Sequence, residues 1–201
     1  MIDLTNPKIK NFVDHVKREC RRKGIKFDLR PSRYVKLSES IKCSGWFDSE
    51  NMALVVAAKN SMALDVLVHE YGHFTQWNEN IPIWQSADES LGYVDDWLNG
   101  KEVKNIRKWL GLSRDLELDN EKRSVALIKY FDLPIDTRHY TKKANAYVQF
   151  YNWMYYSRRW STPTNSPYRN PIILDAMPDK FNMNYKKLSY KSYKAFEASG
   201  I

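Results

Sequence analysis

Leu64, Leu67, Val68, Tyr71 and Phe74 recur every three or four residues just after a compact apolar run, Leu54, Val55 and Val56. That switch of period constrains the fold more than any other feature of the chain. An apolar stripe with a 3.6-residue period has to be a helix lying on a core, whereas a short, largely β-branched run bounded by turn residues reads as a strand. Asn60 and Ser61 at the junction offer side chains that cap a helix, and Asp65 falls near the positive end of its dipole. A strand over residues 52–58 is therefore expected to feed a helix beginning at Ser61.

The same reading applies along the rest of the chain. Asn6 before Pro7 is a helix start, and Ile9, Phe12, Val13, Val16 and Cys20 keep helical spacing until Gly24. Residues 25–29, 34–37 and 41–47, separated by Pro31 and by Ser38–Ser40, join 52–58 as three or four strands of an antiparallel or mixed sheet. After the Ser61 helix, a loop over 78–82 precedes expected helices over 88–98, 103–110 and 113–131, with Gly111 between the last two and Pro134 as the stop. An aromatic-rich helix over 141–160 follows. Pro163, Pro167, Pro171 and Pro178 then mark an extended stretch, and 181–196 alternates Tyr185, Tyr190 and Tyr193 with lysines, as a tail docked on the surface would. The expected class is α+β: an N-terminal backing helix, a small sheet, the Ser61 helix and a mostly helical C-terminal half. One domain over 1–160 carries a loop-rich, basic, tyrosine-rich extension over 161–201 packed on it.

Composition narrows the function. With 201 residues and 43% apolar content the chain can bury a core, no run reaches the length of a membrane-spanning helix, and MIDLTNPKIK lacks the apolar centre of a secretion signal. Cys20 and Cys43 do not form a C-x-x-C pair, so they read as reduced thiols rather than a disulfide or a cysteine zinc knuckle. The expectation is a cytoplasmic protein without membrane contact, in a bacterial host cell if phage-encoded. A net charge of +8 leaves room for nucleic-acid contact through a basic surface, although no nucleic-acid motif accompanies it.

The chemistry sits on the Ser61 helix. His69, Glu70, Tyr71, Gly72 and His73 spell H-E-x-x-H, and residues four apart share a helical face, so both imidazoles can reach one metal ion. Glu70 lies about 100° round from His69, beside the metal rather than on it, where its carboxylate can take a proton from a water that zinc has acidified. That constellation points to hydrolysis of a protein or peptide substrate. A catalytic zinc needs a third protein ligand and one open position. The metzincin extension fails, because Gln76 replaces its glycine and Glu79 its third histidine. His139 is one candidate. Glu117 and Glu121 are others, four apart on a face that continues as Val125 and Ile128 and so points inward, where a carboxylate needs a partner.

With these residues the chain resembles the gluzincins, and among them most closely the small minigluzincins and peptidase-like proteins of phages and bacteria. The resemblance covers roughly residues 7–131 and implies a zincin-like fold. It makes Glu117 the third zinc ligand and Glu121 the carboxylate that supports the zinc-binding histidines, E-L-D-N-E standing for the family's acidic pair. It also implies a Tyr or His donor near the oxyanion, for which His139, Tyr140 and Tyr147 are the candidates. Substrate is expected along the strand over 52–58. Two alternatives stand beside this reading. One is a SprT-like DNA-associated protease, which would need His139 as ligand, and the other is a non-catalytic zinc-containing protein acting on nucleic acid or a host partner.

Overall fold

A computed structural model describes residues 1–36, 42–162 and 164–201 of the chain, without the Asp88 side chain. The expected strand ends Leu37 and Ile41, the Ser38–Ser40 break and Pro163 lie outside the described residues. The architecture is α+β, with seven helices among the described residues, a small mixed sheet and a helical C-terminal half. It divides into two compact units, Met1–Glu79 with Lys122–Thr137, and Asn80–Glu121 with Arg138–Ile201.

In the first unit α1 (Pro7–Arg22) starts where the sequence placed it. Asn6 accepts from the amides of Lys8 and Ile9, and Ile9, Phe12, Val13, Val16 and Cys20 form the buried stripe. Five strands follow: β1 (Lys26–Arg30), β2 (Val35–Lys36), β3 (Lys42–Cys43), β4 (Gly45–Asp48) and β5 (Ala53–Ala57). β5 is the centre of a three-stranded sheet, parallel to β1 and antiparallel to β4, and all five of its residues are buried. β2 and β3 pair antiparallel in a separate two-stranded sheet. The segment expected as one strand over 41–47 is thus two, because the chain leaves that pair at Ser44 and joins the three-stranded sheet at Gly45.

Gly45 explains how closely the next helix can approach. A Cβ there would stand 2.6 Å from a methyl of Val66 and 3.0 Å from the Val55 carbonyl oxygen, and the second of these is backbone that cannot swing aside. Gly45→Ala is expected to cost about 1–3 kcal/mol, the usual scale of overpacking. A denaturation midpoint equal to wild type would show that the helix shifts freely. That helix, α2 (Ala63–Glu79), is entered through Asn60, which is buried and uses both ends of its amide. The NH2 donates to the Arg33 carbonyl and the Ser44 hydroxyl, and the oxygen accepts from the Met62 amide. Tyr71 completes the core side of α2, its ring edge-on to Phe12 and its hydroxyl 2.8 Å from His15. Arg18 can only donate to His15 Nδ1, so His15 is the neutral tautomer that donates from Nε2 to Tyr71. Burial, first among the causes, pushes the His15 pKa below its ordinary value in agreement.

The second unit holds α3 (Pro82–Leu98), the first part of α4 (Ile106–Tyr130), α5 (Thr137–Ser157), α6 (Pro171–Ala176) and α7 (Tyr190–Ser199). Several features differ from the sequence expectation, among them α6, which forms at Pro171 within the stretch expected to be extended because Asn170 caps it and proline suits its first turn. α3 begins at Pro82 rather than residue 88, since proline suits the first helical position and ends no helix there. α4 runs unbroken through Gly111, where the expected break would save only about 1 kcal/mol and Leu110, Leu116 and Leu118 are all buried. α5 runs from Thr137 to Ser157 rather than over 141–160, and Tyr140 and Thr141 already lie in its buried stripe.

The chain after α5 is fastened along one face of that helix. Asn145 donates to the carbonyls of Pro178 and Lys180 and accepts from the Asn182 amide, Gln149 and Asn152 donate to Tyr185, and Trp153 donates to Ile201. Positions 145, 149, 152 and 153 are one helical stripe. Arg114 of α4 adds a bond to Asn152 and lies 5.3 Å from the Tyr185 ring centroid. Residues 161–201 therefore supply core as well as surface: Ile173 and Phe196 are fully buried, Phe196 stacked on Trp153.

Candidate metal centre

α2 separates its two duties by face. Leu67, Val68, Tyr71, Gly72 and Phe74 are buried, while His69, Glu70 and His73 are partly exposed. The rings of His69 and His73 lie 4.8 Å apart and nearly perpendicular, as expected of residues one turn apart on one face. His73 Nδ1 is 2.9 Å from Gln76 Oε1, an oxygen that only accepts, so Nδ1 carries the proton and Nε2 is the lone-pair nitrogen. Gln76 is itself fully buried. The sequence reading saw Gln76 only as a departure from the metzincin pattern; the i,i+3 spacing from His73 was the one mark of this contact in the sequence. Glu79, the other departure, accepts at 2.8 Å from Arg123, which also donates to Thr75.

Glu117 lies on α4 with 8% of its surface exposed, and Glu121 one turn on with 5%. One ligand atom from each of His69, His73 and Glu117 falls within 4.8 Å of the others, and together the three could hold a metal ion. The donor set, two imidazoles and a carboxylate, suits zinc and other borderline divalent ions. His139 does not join this group: it is exposed in the first turn of α5. Of the other candidate donors, Tyr140 is buried and Tyr147 partly so.

Tyr147 reaches Glu117 through a residue the sequence reading missed. The Tyr151 hydroxyl donates to Glu117 Oε1 over a long 3.5 Å, and Tyr147 is hydrogen-bonded to Tyr151. Burial drives both phenols well above the ordinary tyrosine range, with the neighbouring tyrosine and the Glu117 charge adding to Tyr147 and the Glu117 charge adding to Tyr151. Both therefore stay protonated donors. The i,i+4 spacing of the two tyrosines on an aromatic helix was their only mark in the sequence. In the first unit, Cys43 has its thiol pushed up to about 11 by burial and then by the Glu70 charge, and Cys20 up to about 12, mainly by burial. Both cysteines are free thiols.

No family model, curated protein or solved structure matches the chain. Among the described residues no helix is long and apolar enough to cross a membrane.

Proposed function

We propose that this chain is a zinc metalloendopeptidase of gluzincin-like, zincin-type build, with His69, His73 and Glu117 as the ligands and Glu70 as the general base. The observation that carries the reading is the meeting of Glu117, from a helix 44 residues further along, with the two histidines of an H-E-x-x-H helix. Zinc held there supplies Lewis acidity, polarising a scissile carbonyl and lowering the pKa of water from about 15.7 toward about 7. Glu70 accepts the proton of the attacking water and returns it to the leaving amine. Gln76 fixes the tautomer and ring plane of His73, Tyr151 offers its hydroxyl to the Glu117 carboxylate, and Glu121 is the proposed further support from α4.

The substrate strand is assigned differently from the sequence reading. β5 spends both edges on β1 and β4, so a peptide cannot add to residues 52–58. β1 and β4 are the two edges of this sheet among the described residues, and β4, which packs against α2, is the edge to which an extended peptide would add.

Metal removal tests the whole reading. Purified protein is expected to carry about one zinc per chain, to lose cleavage of a responsive peptide when the zinc is chelated, and to regain it on zinc addition. Cleavage that continues in fully stripped protein would overturn the assignment.

A further inference from the structure

The positive charge of this protein is not spread along it. Residues 138–201 hold eleven Lys and Arg against three Asp and Glu, a net +8, while residues 1–137 balance at 21 of each, so the last third of the chain carries the whole excess. Nine of the 13 tyrosines lie in the same third. The proposed peptidase chemistry uses almost none of this.

The second unit arranges part of it as a strip. Tyr155 and Tyr156, at the end of α5, have ring centroids 5.5 Å apart, and Tyr156 lies 5.7 Å from Tyr193 of α7. The Arg107 guanidinium, from the start of α4, stands 4.3 Å from the Tyr155 centroid and extends the strip with a cation. Trp153 supports it from below, in contact with both Tyr156 and Tyr193 and stacked on the buried Phe196. Tyr156 is nevertheless 60% exposed, and Tyr190, which opens α7, is 79% exposed. Exposed cations lie close to these rings along the chain: Lys191 and Lys194 on α7, the latter paired with Glu197, and Arg158 and Arg159 just after α5, which donate to the carbonyls of Trp97 and Gly200.

Isolated exposed tyrosines are ordinary on any surface. Rings in mutual contact, held on a rigid floor and set among unbalanced cations, are what a polyanion with flat, unstacked faces would recognise. We infer that the Arg107, Tyr155, Tyr156, Tyr193 strip binds single-stranded nucleic acid, stacking bases on the tyrosines while the basic side chains take the phosphates. A duplex hides its base faces. An anionic bilayer would reward the charge and accept tyrosines at its interface, so vesicles are the decisive control.

Fluorescence anisotropy with a labelled dT20 strand at 50 mM salt tests this, with heparin and phosphatidylserine vesicles as polyanions that have no bases. Wild type is expected to bind dT20 more tightly than either. Tyr156→Ala and Tyr193→Ala should each weaken dT20 binding roughly tenfold while leaving heparin binding unchanged, and Tyr156→Phe should bind as wild type. Arg107→Ala should also reduce the dependence of log K on log salt by about 0.7. His69→Ala should bind dT20 normally, which separates this surface from the metal centre. The inference is overturned if heparin or vesicles compete as well as dT20 itself. It is equally overturned if Tyr156→Ala, with an unchanged thermal midpoint, binds dT20 like wild type.

Discussion

Glu70→Gln protein is expected to keep its fold and its zinc and to lose at least about a hundredfold in hydrolysis, the scale that general-base removal typically produces. Glutamine matches glutamate in length and in helix propensity, and position 70 lies on the partly exposed side of α2, away from the buried stripe of Leu67, Val68, Tyr71 and Phe74. Glutamine cannot accept a proton from water. The comparison is kcat on a substrate that wild type demonstrably cuts, with zinc measured in the same preparations. A variant that turns over as fast as wild type would show that the H-E-x-x-H helix is not the catalytic machinery of this protein.

Glu117→Ala is expected to weaken zinc binding by at least about a hundredfold, more than loss of a group that merely orients a ligand, whereas His139→Ala should leave it unchanged. The contrast follows from placement. Glu117 is buried within reach of the Tyr151 hydroxyl and belongs to the group that could hold a metal ion, while His139 sits exposed at the start of α5. Removing a buried carboxylate removes its desolvation cost but also takes the acceptor from the buried Tyr151 hydroxyl, so the thermal midpoint of the metal-free Glu117→Ala protein is measured beside its zinc content. The zinc measurement is then not confounded by unfolding. If His139→Ala lost zinc and Glu117→Ala kept it, the third ligand would be His139 and a SprT-like reading would replace the gluzincin-like one.

Features written into neighbouring residues were legible without the fold. Asn6 and Pro7 gave away the start of α1, the apolar stripe from Leu64 to Phe74 marked α2, and the four-residue spacing of His69 and His73 placed both imidazoles on one face, because helix geometry is local and repeats every 3.6 residues. Boundaries were less legible wherever a residue that often ends a helix was outweighed by burial. Gly111 inside α4 is one case, and Pro82 at the first position of α3 is another. Gln76 and Tyr151 lay in plain view at helical spacing from His73 and Tyr147. Neither i,i+3 nor i,i+4 spacing distinguishes a functional pair from a chance one until the partner's position is known.

Strand pairing and the third ligand belong to a different category. Residues 52–58 look the same in sequence whether β5 is an edge or a centre; only the placement of β1 and β4 on either side consumes its backbone groups and moves the sheet edges to those two strands. Likewise the sequence narrows the proposed third ligand to Glu117, Glu121 and His139 through chemistry, since each can donate to a metal ion such as zinc. It is the three-dimensional path of α4 that brings a Glu117 oxygen within 4.8 Å of the histidine nitrogens, and the start of α5 at Thr137 that leaves His139 outside the group. Spacing along one helix is fixed by covalent geometry, whereas distance between helices is set by how their buried faces pack, and no short stretch of sequence encodes that packing alone.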